Sequence, residues 1–218
     1  MENNIKNDRL NIDLQLFPNV YWFKKAYKYK YAEFNEYEVH AKMSFRNRFW
    51  VAGADGRLSL SVPILKARNE KQLYRDVKIA GGTWAMDHFR GLCSCYNRSP
   101  WFEHYRDGLA DIYKKEYKYL LDLNLECLAW VNSQFGAPLQ WSFHSHAENH
   151  PSGATRRVAP DGCDYTNFFR PANQEEWIRE GGDTIRYAQV FEERTGFIPG
   201  LSILDLLFCE GPGALRQW

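Results

Sequence analysis

The sequence predicts an α/β fold, in which a twisted mixed sheet comes from the first third of the chain and helices from the later residues pack on it. Strand-like runs fill much of the first eighty positions. The order strand, Pro turn, helix, strand at the start favours a Rossmann-like arrangement. After Thr83 the apolar residues change to helical spacing, which predicts the helices.

The strand-rich region contains a hairpin and one short helix. Residues 48–52 and 58–64 are strand-like and are joined by Gly53-Ala54-Asp55-Gly56, so they predict an antiparallel pair. Pro18 ends the first strand, and residues 20–29 predict a short helix with inward aromatic side chains. Further strands are predicted over residues 10–16, 32–40 and 73–79.

Helices dominate the later chain. They are predicted from the Thr83 cap to residue 96 and over residues 101–119 and 120–135. Residues 138–179 are rich in Pro, Gly, Asn and Asp and predict a long loop region. Ser202 and Asp205 form a predicted capping box for a buried helix. Because no linker divides the chain, residues 1–218 are predicted to form a single domain.

Composition and charge narrow the classes of function. The 218 residues carry 28 basic and 27 acidic side chains, and this net charge of +1 argues against a nucleic-acid-binding protein. The amino end lacks the apolar segment of a secretory signal, and the apolar run LSILDLLF is too short to span a bilayer. Five scattered cysteines do not form a disulfide framework. We therefore expect a cytoplasmic protein with reduced thiols.

The segment SFRNRFW, residues 44–50, contains the first candidate site. Read as a strand, it places Arg46 and Arg48 on one face, where two guanidinium groups can clamp a carboxylate or a phosphate. The alternative is a pair of solvated surface arginines. Asn47 lies between two phenylalanines on the other face, and a buried amide there must anchor a loop or a ligand.

Histidines form two further candidates. His88 lies one helical turn after Trp84 and is either a general base or a half-buried packing residue. His144, His146 and His150 are either zinc ligands or polar loop residues, and no CxxC or HExxH motif supports a metal. The sequence therefore gives no metal site, and it leaves any cofactor unknown.

Several motifs, taken in order, resemble the WbqC-like protein family, and the resemblance spans residues 14–215. These motifs are Gln15-Leu16-Phe17-Pro18, Tyr21-Trp22-Phe23, Ser44-Phe45-Arg46-Asn47-Arg48, Val62-Pro63, Asp76-Val77-Lys78-Ile79, Trp84 with His88, Tyr96, Ser99-Pro100, Phe102, Leu121-Asp122-Leu123-Asn124, Tyr187, Gln189-Val190-Phe191, Gly196-Phe197-Ile198-Pro199 and Leu201-Ser202-Ile203-Leu204-Asp205. Residues 12–15 depart from the usual start of the first motif.

The resemblance implies a role in surface-polysaccharide assembly of the O-antigen type. It implies transfer of glycine, or of another aminoacyl or N-acyl group, to a nucleotide-linked amino sugar. The substrate is then a small anionic molecule. His88 is the proton-transfer candidate, and the substrate-binding candidates are Gln15, Arg46, Asn47, Arg48, Trp84 and Tyr96.

A second hypothesis belongs to another class of protein. Since no catalytic triad, phosphate-binding loop or metal motif is present, the chain is also compatible with a non-catalytic ligand-binding or assembly protein of the same pathway. Both hypotheses predict no nucleic-acid partner and no membrane span, and both are compatible with a homo-oligomer. They differ in whether purified protein forms a product.

Overall fold

The structure is a computed structural model that describes residues 9–29, 31–65, 72–136, 139–144, 164–182 and 185–217. The described residues form the strands β1 (Arg9–Ile12), β2 (Tyr31–Phe34), β3 (Arg48–Gly53), β4 (Gly56–Ser61), β5 (Gln140–Phe143) and β6 (Asp164–Tyr165). They also form the helices α1 (Val20–Ala26), α2 (Trp84–Tyr96), α3 (Phe102–Lys114), α4 (Leu120–Gln134), α5 (Gln174–Glu180), α6 (Glu192–Thr195) and α7 (Ile203–Glu210).

Four of the strands form a parallel sheet in the order β5-β2-β1-β6. In its register, Leu10 lies opposite Ala32, and Asn11 lies opposite Asp164. Counted along the chain, these four strands follow the order 3-2-1-4, which is the order of the first four strands in a Rossmann sheet. The order reverses between β1 and β6, so the carboxyl ends of these two strands border the topological switch point.

The helix α1 connects the parallel neighbours β1 and β2. Asn19 caps it, because the Asn19 Oδ1 atom accepts hydrogen bonds from the backbone N–H groups of Tyr21 and Trp22, both at 3.0 Å. The aromatic side chains of α1 are buried, and the Trp22 ring stacks on Phe34 of β2 at 6.4 Å between centroids. The predicted short helix with an inward aromatic face is confirmed.

The predicted hairpin is also confirmed, and it forms its own two-stranded sheet. β3 and β4 are antiparallel, and Phe49 lies opposite Leu60. Gly56 closes the turn with a φ of 113°, a backbone conformation that residues other than glycine rarely adopt. The hairpin contacts both α2 and α7, which attaches it to the helical part of the chain.

The predicted α/β class is confirmed. The parallel strand pairs lie in the four-stranded sheet, and the antiparallel pair forms the separate two-stranded sheet. The parallel sheet takes β5 and β6 from residues 138–179, where the sequence predicted only loop. The strand predicted over residues 73–79 is wrong. This segment makes single bridges to Val39, Ile64 and Tyr119, so no continuous ladder forms, and its centre is a 3-10 turn.

The helix α7 lies in the core, as its nearly uniform apolar sequence predicts. Its residues 203–209 are all buried, and the buried apolar side chains of the described chain form one connected cluster. The described helices include none with the length and apolar character needed to cross a bilayer.

Candidate functional site

Charged side chains gather in the loops that follow the carboxyl ends of the parallel strands. In sheets of this kind, ligands bind beyond the carboxyl ends of the strands, near the point where the strand order reverses. One group at this edge, called the strand-end cluster below, consists of Asp13, Glu38, His40, Arg46, Tyr74 and Arg170.

Arg46 lies at the centre of the strand-end cluster and is only 1% exposed. Its Nη2 atom donates to the Asp13 Oδ1 atom at 2.8 Å and also to the Glu38 Oε1 atom. Its guanidinium carbon lies 5.2 Å from the centroid of the Tyr74 ring. Arg46 is therefore a buried, paired cation, and the alternative of a solvated surface arginine is wrong for this residue.

Aromatic packing fixes the backbone on both sides of Arg46. The Phe45 ring packs edge-on against Trp50 at 4.6 Å, and Phe49 packs against Phe17 at 5.2 Å. β3 begins at Arg48, as predicted, but residues 44–47 form turns and bends, so reading the whole segment 44–50 as a strand is wrong for these four residues. The turn lets Arg46 point inward. A regular strand would instead have placed Arg46 on the same face as Arg48.

Asn47 and Arg48 have different environments. The Asn47 Nδ2 atom donates to the Val62 carbonyl at 2.9 Å, and the Val62 N–H donates to the Asn47 carbonyl at 2.8 Å. Asn47 thus extends the hairpin by one residue pair and anchors a loop. Arg48 lies opposite Ser61 and is half-buried; its Nε atom is buried without an acceptor among the described residues.

The loop after β6 closes the other side of the strand-end cluster. The Asn167 N–H donates to the Asp13 Oδ2 atom at 2.8 Å, and the Arg170 guanidinium donates to the Asn167 side-chain oxygen. Next to them, the Gln15 Nε2 atom donates to the Phe169 carbonyl at 2.7 Å. The predicted residue Gln15 therefore lies at the switch point, on the same strand end as Asp13.

Several buried polar atoms around Arg46 have no partner among the described residues. The donors are the Arg46 Nε and Nη1 atoms and the Arg170 Nε atom. The acceptors include the Gln15 Oε1 and Asn124 Oδ1 atoms, although the Asn124 amide nitrogen donates to the Arg46 carbonyl at 2.7 Å. Buried polar atoms are nearly always satisfied in proteins, so this arrangement is suited to a bound polar group.

Burial and charge shift the protonation of the strand-end cluster. Burial raises the pKa of Glu38 to about 7. The attraction of Arg46 opposes this shift, and the repulsion of Asp13 adds to it. Burial, together with the positive charge of Arg46, lowers the pKa of His40 to about 4. Burial also lowers the pKa of Arg170. Glu38 is therefore a carboxyl group that can take up or release a proton near neutral pH.

Backbone strain occurs in the same loops. Phe17, Met43 and Asn167 are non-glycine residues with positive φ values of 40°, 54° and 59°. They lie in the loops after β1, β2 and β6, respectively. Such conformations cost about 1–3 kcal/mol each and cluster at functional sites. The three values therefore mark this edge independently of its charges.

His88 lies in an aromatic pocket on the hairpin and not in the strand-end cluster. Its ring packs edge-on against Phe49, Trp84 and Tyr113, with centroids 5.7, 5.4 and 5.9 Å away. Burial lowers the pKa of His88 to about 4, although the nearby Ser61 backbone raises it slightly. The ring nitrogens have no hydrogen bond of normal geometry within the described chain. The predicted neighbours Trp84 and His88 are thus in contact.

Tyr96 belongs to a separate buried network. Its hydroxyl donates to Asp205, accepts from the Ala52 N–H at 3.1 Å, and shares the Asp205 carboxylate with Tyr187, whose hydroxyl is 2.7 Å away. Ser202 caps α7, as predicted, but the Asp205 half of the capping box is wrong because its carboxylate turns to these tyrosines. The Tyr96 ring is completely buried.

The predicted histidine group is only partly described. His144 follows β5, and its N–H donates to the Phe34 carbonyl of β2 at 3.0 Å. His146 and His150 lie outside the described residues. Within the described ranges, three or more metal-ligating side chains do not come together anywhere.

Two surface pockets of the described chain lie away from the strand-end cluster. One lies between α1 and α5, beside Lys24 and Trp177. The other lies near the amino ends of the parallel strands, beside Arg9 and Gln140. Neither contains a member of the strand-end cluster.

Sequence reasoning identified Arg46 but missed the side chains that surround it. Asp13, Glu38 and Arg170 are single charged residues in loops, and such residues are usually solvated. A signal was present for Asp13, since a carboxylate that directly follows a central strand lies at the ligand-binding edge of a parallel sheet. No such local pattern marks Glu38 or Arg170.

Comparison with known proteins gives a family and one uncharacterised relative. The family model described as "WbqC-like protein family" matches residues 15–217. The uncharacterized protein Rv1507c of Mycobacterium tuberculosis (strain ATCC 25618 / H37Rv) is 28% identical over 202 residues, which is 81% of this chain and 84% of that protein. No solved structure matches the chain significantly.

Proposed function

Since the chain belongs to the WbqC-like protein family, we propose that it is a cytoplasmic enzyme of surface-polysaccharide assembly. In this proposal it transfers an aminoacyl group, such as glycine, or another N-acyl group to the amino group of a nucleotide-linked sugar. The family resemblance supports the pathway, and the arrangement of the described residues supports the site.

The observation that carries the proposal is the strand-end cluster at the switch point of the parallel sheet. It combines a buried guanidinium group on Arg46, unpaired donor atoms and a carboxyl group that titrates near neutral pH on Glu38. Anion recognition and proton transfer are the two functions that acyl transfer to an amino sugar requires. The Rossmann strand order supports a nucleotide-linked substrate by analogy of fold alone.

The proposed roles follow from these positions. Arg46 binds the anionic group of the substrate from the strand-end cluster, Arg48 is proposed to reach the same group from β3, and Asn47 anchors the turn that carries Arg46 to Val62. The sugar amine attacks the acyl carbon of the activated donor, the new C–N bond forms, and the bond between the acyl carbon and the donor's leaving group breaks. Glu38 passes a proton to that leaving group and takes up the proton that the amine loses. A base with a pKa near the working pH is the most effective in such a step.

Other predicted roles remain proposals. His88 is the competing proton-transfer residue, although its pKa of about 4 makes it a weaker base at neutral pH. Trp84 is the proposed sugar-stacking residue, and Gln15 is a proposed substrate ligand at the switch point. The other stacking candidate, Tyr96, has a completely buried ring, which offers no face to a sugar. Glu38→Gln and His88→Gln distinguish the two bases, since only loss of the true base lowers kcat strongly at saturating substrate.

The test is product formation by the purified full chain, followed by mass spectrometry, with nucleotide-linked amino sugars and activated glycine. Binding of the nucleotide sugars is measured by calorimetry with Arg48→Ala, which we expect to weaken affinity about 10-fold or more. Arg90→Ala is the matched control, because Arg90 is an exposed arginine on α2. Unchanged affinity in Arg48→Ala for every anionic ligand that binds the wild type contradicts the role of Arg48.

A non-catalytic ligand-binding or assembly protein is the second candidate. It is favoured by the burial of Arg46 between two carboxylates. Such a group suits a structural ion pair as well as a reaction centre. Turnover by purified protein excludes this candidate, whereas ligand binding without any product supports it.

A further inference from the structure

We propose that Arg46 and Arg170 together bind one oxyanion, a carboxylate or a phosphate group, and that Glu38 takes up one proton when this anion binds. The proposal rests on the proposed function only in placing the substrate at the strand-end cluster. It adds the second arginine, which the sequence did not indicate, and it adds regulation of binding by pH.

The donor atoms for the anion are present and unused. The Arg46 Nη2 atom donates to two carboxylates, whereas its Nε and Nη1 atoms are buried without acceptors among the described residues. The Arg170 Nη2 atom donates to the Asn167 side-chain oxygen, whereas the buried Arg170 Nε atom has no acceptor among the described residues. Arg46 bonds one oxygen of Asp13, the Asn167 N–H bonds the other, and Arg170 bonds the Asn167 side chain, so the two guanidinium groups border the same carboxylate. Two arginines beside each other match the planar, charged oxygens of a carboxylate or a phosphate.

The charges of the strand-end cluster explain why a proton must accompany the anion. Above pH 7, where Glu38 is mainly ionised, the two positive charges of Arg46 and Arg170 are balanced by the two carboxylates of Asp13 and Glu38. The other titratable side chains that face Glu38 from the described elements, His40 and Tyr74, are uncharged at neutral pH. A further anion leaves an uncompensated negative charge in a buried site, which is costly unless one acidic group is protonated.

Hydrogen bonding selects Glu38, and not Asp13, as the group that is protonated. Both Asp13 oxygens already accept hydrogen bonds, one from Arg46 and one from the Asn167 N–H, so Asp13 offers no oxygen to the anion. Among the described residues, only Arg46 donates to the Glu38 carboxylate, and burial already raises the pKa of Glu38 to about 7. Once protonated, the Glu38 carboxyl can donate its O–H group to the anion.

The experiment is calorimetric titration of the full chain with sodium sulfate and with sodium acetate, between pH 6 and 8.5. Each titration is run in two buffers of different ionisation enthalpy, so that the number of protons taken up is measured directly. Neither anion titrates in this range, so any proton that is taken up goes to the protein. Sulfate represents a phosphate group and acetate represents a carboxylate. The anion that binds more tightly shows which of the two groups the site prefers.

For the wild type we expect uptake of about one proton per bound anion at pH 8. We also expect affinity to fall about 10-fold per pH unit above pH 7, because protonation of Glu38 is then a precondition for binding. Glu38→Gln keeps a neutral, hydrogen-bonding side chain, so it is expected to bind with an affinity that does not change with pH. Glu36→Gln, in the same loop, is the matched control and keeps the wild-type behaviour.

Arg170→Gln tests the second arginine. Loss of one charge-assisted contact is expected to weaken anion binding about 10- to 100-fold. Arg179→Gln is its matched control, since Arg179 is exposed on α5 and the substitution changes the net charge equally. Wild-type affinity in Arg170→Gln contradicts the two-arginine site.

The outcomes separate this proposal from the proposed function. Anion binding without proton uptake overturns the role of Glu38 and leaves acyl transfer intact. If neither anion binds the wild type, the oxyanion site is overturned, whether or not the product assay is positive. The proton count on the wild type requires no variant, so it decides the role of Glu38 even if Glu38→Gln does not fold.

Discussion

Arg46 shows how a buried charge constrains its surroundings. Two carboxylates and one guanidinium group lie in a site where Arg46 and Asp13 are almost completely buried and Glu38 is 10% exposed. Taking these charges out of water is costly, and their attraction only offsets that cost. The pairs therefore add little net stability as a whole, but the removal of one member leaves the others uncompensated.

We accordingly predict that Arg46→Ala lowers the free energy of unfolding by about 3–5 kcal/mol, because it leaves Asp13 and Glu38 buried without their cation. The measurement is urea unfolding at pH 7. Arg106→Ala is the control, since Arg106 makes an exposed pair with Glu103 at 3.5 Å and such pairs contribute about 1 kcal/mol or less.

The origin of the loss is tested by adding Asp13→Asn and Glu38→Gln to Arg46→Ala. Because this variant has no unpaired carboxylate in the site, we expect it to recover a part of the lost stability. A triple variant that is less stable than Arg46→Ala shows that packing of the arginine side chain, and not its charge, determines the effect.

The sequence predicted part of this site for identifiable reasons. SFRNRFW predicted an anchored Asn47 and a charged group beside it, because the segment is short and its chemistry is local. The partners of Arg46 were not predicted, since Asp13 is 33 residues away and Glu38 is separated by an irregular loop. Contacts over such distances depend on the order of strands in the sheet, which a single sequence does not define.

At the scale of elements, the sequence predicted helices better than strands. The helices α2 and α4 are 13 and 15 residues long, so each shows several turns of apolar spacing. β5 and β6 have four and two residues, and each becomes a strand only because β2 or β1 supplies its hydrogen bonds. Too few residues are present in either strand to show alternation.

The cap of α7 gives the prediction at this scale. The Ser202 hydroxyl accepts from the Leu204 N–H at 3.2 Å and donates to the Phe17 carbonyl at 2.9 Å. Ser202→Ala removes both bonds at a residue that is 1% exposed, so we expect a loss of about 1–3 kcal/mol in the free energy of unfolding.

Thermal unfolding of Ser202→Ala is compared with that of Ser133→Ala. Ser133 is exposed on α4, where its hydroxyl donates to the Trp130 carbonyl and accepts from the Gln134 amide nitrogen, both at 2.7 Å. Because these bonds lie at the surface, loss of the hydroxyl is expected to change stability by less than about 0.5 kcal/mol. Equal effects of the two substitutions contradict the capping role of Ser202.

At the scale of the whole molecule, the two ends of the chain are joined in the core. The Val20 N–H donates to the Leu201 carbonyl at 3.1 Å, and the Ile203 N–H donates to the Pro18 carbonyl at 2.8 Å. The Ser202–Phe17 bond spans 185 residues of sequence. α7 therefore completes the packing around the loop after β1, which also carries Asp13 and Gln15.

We predict that a chain ending at residue 200 does not unfold cooperatively. It lacks seven consecutive buried residues of α7, and the cavity left by such a loss exceeds what a domain of ordinary stability tolerates. Near-UV circular dichroism and urea unfolding followed by tryptophan fluorescence measure the effect. A chain ending at residue 213 retains α7 and is expected to keep a cooperative transition. α7 holds the loop after β1, so we expect its removal to disturb the strand-end cluster as well as the core. Native unfolding and native anion binding by the chain that ends at residue 200 contradict this expectation.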